Sequence, residues 1–67
     1  MQINIELLKR RRKELKLRLV EVGRAVGVDK AMICLYESGK VTPPIKHLPL
    51  YAKALNLPEQ ALVIFEN

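Results

Sequence analysis

The sequence is poor in cysteine and aromatic residues, and it has no long hydrophobic run. Cys34 is the single cysteine, so an internal disulfide and a cysteine-based metal site are both excluded. Aromatic residues make up 4% of the chain and tryptophan is absent. The core must therefore be aliphatic, built from Leu, Ile and Val. The longest apolar run, Ala61 to Phe65, is far too short to span a membrane.

Signals for secretion and for catalysis are also missing. Met1 to Glu6 lacks the basic segment followed by an apolar stretch that a signal peptide needs, so we expect a cytoplasmic protein. The single histidine, His47, has no cysteine or second histidine with which to share a metal. We therefore expect a non-enzymatic protein without metal or cofactor. A length of 67 residues predicts one small domain covering residues 1–67.

Positive charge is the first feature that the sequence does have. Twelve Lys and Arg residues against seven Asp and Glu give a net charge of +5. Seven of the twelve cations lie between Lys9 and Arg18, where Glu14 is the one acidic residue. Such a domain is attracted to polyanions, with nucleic acid as the leading partner. A solvated helix face would also produce this run, so charge alone leaves both interpretations open.

Apolar spacing and capping residues predict an all-α fold of five short helices. The first is expected from Asn4 to Lys16, with Ile5, Leu8, Arg12 and Leu15 on one inward face. The second is predicted after Leu17, with Gly27 as its end, and the third from Lys30 to Ser38, with Asp29 as its cap. The fourth is predicted to start near His47 and to end at Asn56, and the fifth to begin at Pro58. No strand is expected before Leu62.

The second and third predicted helices are separated by only two or three residues around Gly27. Helices joined so tightly must cross at a steep angle, which is the geometry of a helix-turn-helix. We therefore expect a central helix-turn-helix unit over residues 19–38.

Residues 19–38 resemble the helix-turn-helix of phage-repressor and Cro-type regulators, also called the xenobiotic-response-element type. Gly23 falls where that family needs a very small residue, and Gly27 falls at its turn, where a positive φ is required. Residues 36–40, Tyr-Glu-Ser-Gly-Lys, resemble the family's aromatic-Glu-x-Gly-Lys ending. Residues 51–57 resemble its fourth helix and the start of its fifth. The resemblance implies a five-helix repressor-like DNA-binding domain.

The resemblance also implies roles for individual residues. Arg12 lies on an apolar stripe and needs a partner, because an unpaired buried charge is expensive; the family pairs it with the position of Glu37. The third helix would enter the major groove of DNA. The positions expected to face the bases are Lys30, Ala31, Met32, Cys34 and Leu35. The positions expected to contact phosphates are Arg10, Arg18, Leu19 at the N-terminus of the second helix, Lys40 and Thr42.

The sequence departs from the family on the side that would face DNA. The usual Thr-Gln pair at the start of the second helix is replaced by Arg18 and Leu19, and a leucine side chain cannot donate to a phosphate. Lys30 is the one obvious base-reading donor on the third helix. Two hypotheses follow. The first is a DNA-binding transcriptional regulator, a repressor acting as a homodimer on a palindromic operator. The second is a helix-turn-helix module that binds a partner protein through its apolar third helix and Leu19-Val20.

The apolar tail over residues 62–67 is the last feature with a predicted role. Leu62, Val63, Ile64 and Phe65 exceed what a five-helix core needs to close. We therefore expect part of this stretch to mediate dimerisation, or to have once led into a further domain.

Overall fold

A computed structural model describes residues 2–65 of the 67-residue chain. Within these residues the structure has four α-helices, two short 3-10 helices and one antiparallel pair of strands. The elements are β1 (Gln2–Ile3), α1 (Ile5–Glu14), α2 (Leu19–Val26), α3 (Lys30–Ser38), a 3-10 helix (Ile45–His47), α4 (Leu48–Leu55), a second 3-10 helix (Glu59–Leu62) and β2 (Val63–Ile64). The predicted helical fold with a central helix-turn-helix is confirmed.

Helix α1 begins as predicted but ends earlier than predicted. The Asn4 side chain accepts a hydrogen bond from the Leu7 N–H at 3.2 Å and caps the first turn. The helix was expected to continue to Lys16, but Lys16 takes a left-handed conformation with φ of 57°. The Leu17 N–H then bonds the Arg12 carbonyl at 3.0 Å, which is the closing bond of a Schellman motif. As a result Leu15, expected in the core, lies past the helix end and is 37% exposed.

The close approach of α2 and α3 depends on the two glycines that the sequence singled out. A Cβ atom on Gly23 would lie 2.5 Å from the carbonyl oxygen of Val28, so a larger residue cannot fit there without moving the turn. Gly27 has a φ of 91°, in the region that favours glycine. Both expectations are confirmed, and together they fix how α3 projects from α2.

Helix α4 lies across the helix-turn-helix and closes the core. Its predicted inward residues, Leu48, Tyr51, Ala52 and Leu55, are all buried. Asn56 ends the helix with a φ of 54°, the left-handed conformation expected of it. The other buried hydrophobic residues are Ile3, Leu8, Val22, Val26, Ile33, Tyr36 and Leu62. The core is therefore aliphatic apart from two tyrosines.

The two ends of the chain meet in a strand pair that the sequence did not predict. Gln2 pairs with Ile64 and Ile3 pairs with Val63, and the Asn4 N–H bonds the Leu62 carbonyl at 2.7 Å. The expectation of no strand before Leu62 was therefore wrong. The count of five helices was also wrong, because the predicted fifth helix is a four-residue 3-10 helix after Pro58. At Val63 the backbone becomes extended, and the chain enters β2 instead of adding a helical turn.

Candidate nucleic-acid interface

Arg12 and Glu37 form the ion pair that the sequence predicted. Arg12 Nε donates to Glu37 Oε2 at 2.6 Å and Arg12 Nη2 donates to Glu37 Oε1 at 3.0 Å. The two side chains are 14% and 11% exposed. The hydrogen bond that Arg12 donates to Glu37 raises the pKa of Arg12, although burial opposes the shift. A paired, bidentate geometry of this kind is the strong form of a charged hydrogen bond.

The same guanidinium also positions the entry to α2. Arg12 Nη1 donates to the Leu17 carbonyl oxygen at 2.8 Å. One side chain on α1 thereby holds both the segment leading into α2 and the C-terminal end of α3. The orientation of the helix-turn-helix against α1 therefore depends on Arg12.

Helix α3 presents a polar and small-residue face to solvent. Ile33 and Tyr36 are buried against the core, so the opposite side of the helix faces solvent. Of the residues expected to face bases, three are exposed and two are half-buried: Lys30, Ala31 and Cys34 in the first group, Met32 and Leu35 in the second. Met32 also packs against the core. The accessible face of α3 is therefore centred on its first two residues and Cys34.

Both ends of α3 are fixed by local hydrogen bonds. At the start, the Asp29 carboxylate accepts from the Met32 N–H at 3.0 Å, as the sequence predicted for a capping residue. At the end, Gly39 has a φ of 82° and the Leu35 carbonyl accepts from the Lys40 N–H at 3.2 Å. The main-chain N–H of Lys40 is therefore occupied, and its exposed ammonium is the group left for an anion.

The N-terminal ends of α2 and α3 face each other across an open cleft of about 540 Å³. Its lining residues are Arg18, Leu19, Val20 and Lys30. The structure thus brings together two of the predicted phosphate-contacting residues and the predicted base-reading lysine. The other predicted phosphate contacts, Arg10 on α1 and Lys40 and Thr42 after α3, are exposed and lie outside this cleft.

Glu21 anchors the start of α2 beside the cleft. Its carboxylate accepts from the Arg18 main-chain N–H at 2.8 Å and from Arg18 Nε at 3.4 Å. These interactions lower the pKa of Glu21, with the main-chain hydrogen bond as the largest cause. The Arg18 side chain nevertheless remains 78% exposed. It is therefore accessible to a phosphate from the solvent side.

Arg11 is a residue whose role the sequence did not indicate. Arg11 Nε donates to the Leu55 carbonyl at 2.9 Å, and its guanidinium lies 3.7 Å from Glu14. A cation at the last carbonyls of α4 suits the negative end of the helix dipole. The basic run therefore divides: Arg11 and Arg12 hold the fold together, while Lys9, Arg10 and Lys13 are exposed.

Strongly exposed large hydrophobic residues are absent from α2 and α3 in the part of the chain that the structure describes. Those that are most exposed are Leu15, Val41, Ile45, Leu50, Ile64 and Phe65. Leu19 and Met32, which the protein-interaction hypothesis needs, are instead partly covered by the core. The helix-turn-helix therefore offers a protein partner less apolar surface than its sequence suggests.

The predicted dimerisation stretch is divided by the fold. Leu62 is fully buried at 0% exposure, so it belongs to the core and cannot form a surface contact. Val63 is half-buried, whereas Ile64 is exposed and Phe65 is 67% exposed. Residues 66 and 67 of the tail lie outside the described residues. The surface part of the stretch is therefore Ile64 and Phe65.

Within residues 2–65, His, Cys, Asp and Glu form no group of three that could hold a metal ion. His47 is half-buried, with its ring 6.4 Å from that of Tyr36 in an edge-to-face arrangement. No described helix is long and apolar enough to cross a membrane.

Comparison with known proteins identifies the family. The helix-turn-helix family profile matches residues 8–62. The chain is also similar to a solved structure of the P22 c2 repressor protein in complex with synthetic operator 9T in the presence of Tl+. The two are 32% identical with a TM-score of 0.80, over 94% of this chain and 96% of the repressor chain. No curated protein matches. On the profile match and this structural similarity, the chain belongs to the Cro/C1-type helix-turn-helix family.

Proposed function

We propose that this protein is a DNA-binding transcriptional repressor that places α3 in the major groove. The main support for the proposal is the similarity, over nearly the whole of both chains, to a repressor in complex with a synthetic operator. The exposed residues at the start of α3, Lys30 and Ala31, would face base edges together with Cys34, and the half-buried Met32 and Leu35 would lie beside them.

Phosphate contacts would come from cations on both sides of α3. Arg18 lies beside its first turn, at the cleft, and Lys40 follows its last turn. Arg10 and Thr42 would add to this surface. The main-chain N–H groups of the first turn of α2, which begins at Leu19, suit an anion. Contacts of this type fix the register of the protein on the duplex, while the α3 side chains supply sequence preference.

The salt dependence of DNA binding tests the electrostatic part of the proposal. Binding to a labelled duplex, measured by fluorescence anisotropy between about 50 and 200 mM salt, should weaken linearly in log K against log salt concentration. Arg18→Ala and Lys40→Ala should each reduce the slope by about 1. Lys53→Ala, on the exposed surface of α4, removes the same charge and should leave the slope unchanged. Equal effects from all three variants would contradict the proposed contacts.

We further propose that the repressor acts as a homodimer on a palindromic operator. The exposed Ile64 and Phe65 at the end of β2 are the apolar residues that would meet a second copy. A twofold dimer presents two copies of α3 to half-sites about one helical turn apart. In sedimentation equilibrium we expect the native chain to be a dimer and the Phe65→Glu variant to be a monomer. A Phe65→Glu variant that remains dimeric would rule out this surface. A cytoplasmic location stays a prediction.

A further inference from the structure

The cleft between α2 and α3 combines two aliphatic side chains with two cations. Leu19 and Val20 line it with aliphatic carbon, and Arg18 and Lys30 add two cations. Leu19 is partly covered by the core, so its position is fixed by packing. Val20 is half-buried and is not among the hydrophobic residues packed against the core, so its substitution should disturb the core less than substitution of Leu19.

The shape of the cleft argues against a small-molecule ligand. Small-molecule sites bury most of their ligand and use several polar groups to orient it. Here four residues line an open surface, and both polar lining groups are exposed cations. Such a cleft cannot enclose a ligand, but it can receive a group that protrudes from a larger polyanion.

One group in the major groove of DNA fits aliphatic walls. The groove edges of the four bases present hydrogen-bond donors and acceptors, and the 5-methyl group of thymine is the apolar exception. The phosphates beside such a thymine would be attracted to the exposed Arg18, while Lys30 would reach the edge of a neighbouring base. Aliphatic walls and cationic residues in one cleft therefore match a thymine within a duplex.

We propose that this cleft is a subsite for the 5-methyl group of a thymine, with Leu19 and Val20 as specificity-determining residues. The inference rests on the proposed DNA-binding function and deepens it. In this arrangement the Leu19 and Val20 side chains take part in sequence discrimination. A phosphate contact by Leu19 would involve only its main-chain N–H, because its side chain cannot donate a hydrogen bond. The subsite also explains how an interface with one evident base-reading donor, Lys30, can still distinguish sequences.

Replacing thymine by uracil tests the subsite directly, because uracil differs from thymine in lacking the methyl group. The probe is the duplex enriched from random DNA by the native protein, with thymines replaced one at a time by uracil. At the thymine that occupies the cleft, the affinity should fall about fourfold, the value expected for burying one methyl group. Uracil placed outside the half-sites is the matched control and should leave the affinity unchanged.

A variant of the cleft wall assigns the effect to this surface. In Val20→Ala the preference for thymine over uracil should fall from about fourfold to less than twofold, because part of the apolar wall is gone. Leu50→Ala, which shortens an exposed hydrophobic residue on α4, should keep the fourfold preference. Val20→Thr keeps the shape of the side chain but replaces one methyl group by a hydroxyl. It should also lower the preference for thymine over uracil, and it serves as the test if Val20→Ala loses thermal stability.

The outcomes separate this inference from the proposed function. Sequence-selective binding that is insensitive to uracil at every position would overturn the subsite and leave the repressor function standing. A uracil effect that persists in Val20→Ala and Val20→Thr would also overturn it, since the methyl group would then contact another surface. A protein that enriches no sequence contradicts the proposed function itself. A subsite filled by an apolar side chain of a partner protein would give no uracil effect.

Discussion

Arg12 and Glu37, 25 residues apart, are joined by two hydrogen bonds of 2.6 and 3.0 Å that tie α1 to the C-terminal end of α3. Because Arg12 also bonds the Leu17 carbonyl, this pair sets the position of the helix-turn-helix within the fold. Removing one partner leaves a mostly buried charge without compensation. That loss costs more than the net stabilisation the intact pair provides.

We predict that Arg12→Ala lowers the free energy of unfolding by about 3 kcal/mol. For a domain of this size that corresponds to a fall in Tm of more than about 10 °C, which thermal denaturation followed by circular dichroism will measure. Arg12→Met combined with Glu37→Met removes both charges and should recover most of the loss. A double variant as unstable as Arg12→Ala would mean that Arg12 acts through Leu17 instead of Glu37.

Gly23→Ala should destabilise the protein through contact with the turn. The new Cβ would lie 2.5 Å from the Val28 carbonyl oxygen and 3.3 Å from the Asp29 carbonyl carbon, both of which are main-chain atoms. Separating α2 from α3 to relieve this overlap should cost about 1–3 kcal/mol in urea denaturation. Gly39→Ala is a useful comparison, because a Cβ atom added there would have no atom within 4 Å apart from those of the adjacent residues. The Gly39→Ala variant should lose stability only through backbone strain, so its core packing and unfolding m-value should match those of the native chain.

Lys16→Gly should stabilise the protein. Lys16 holds a φ of 57°, which costs a residue with a side chain about 1–2 kcal/mol. Glycine avoids that strain and loses about 0.5–1 kcal/mol through its greater freedom in the unfolded chain. The net gain should be roughly 0.5–1 kcal/mol by urea denaturation, and Lys16→Ala should show none of it. A Lys16→Gly protein less stable than the native one would show that the lysine side chain has a role of its own.

The buried hydroxyl of Tyr51 should make the protein less stable at alkaline pH. Burial, with smaller contributions from Tyr36 and Glu37, raises the pKa of its hydroxyl above the ordinary value near 10. The neutral form is therefore favoured in the folded state, and above about pH 10 the unfolded chain releases this proton first. Stability should then fall by up to about 1.4 kcal/mol per pH unit.

Tyr51→Phe should remove this pH dependence. The hydroxyl is buried without a hydrogen-bond partner among the described residues, so its removal at pH 7 should change stability by less than about 1 kcal/mol. The difference in unfolding free energy between the native chain and Tyr51→Phe should be constant below pH 9 and shift in favour of Tyr51→Phe above about pH 10. A constant difference throughout would show that Tyr51 titrates normally.

The sequence predicted the elements that have local signals. Helix α2 ends where predicted, and α3 begins and ends where predicted, because Gly27, Asp29 and Gly39 are strong local stops and caps. The apolar stripe showed only that Arg12 requires a partner, and the family resemblance implied that the partner is Glu37. The end of α1 was missed because Lys16, unlike glycine, gives no sign of a left-handed conformation.

Features that depend on distant parts of the chain were not predictable. Two-residue strands have no periodic pattern, so the pairing of β1 with β2 follows from the path of the chain and not from composition. Leu62 was assigned to a surface because the packing of its 3-10 helix against α4 also joins distant parts of the chain. The bond from Arg11 to the Leu55 carbonyl spans 44 residues and ends on a main-chain atom that no sequence pattern marks.

Selection of bound sequences from random DNA tests the central claim most directly. The native protein should enrich one palindromic motif whose half-sites lie about one helical turn apart, roughly 34–36 Å. Lys30→Ala, exposed at the start of α3, should bind the same DNA pool with relaxed preference at one position of each half-site. A folded native protein that enriches no motif would contradict the claim that α3 reads DNA.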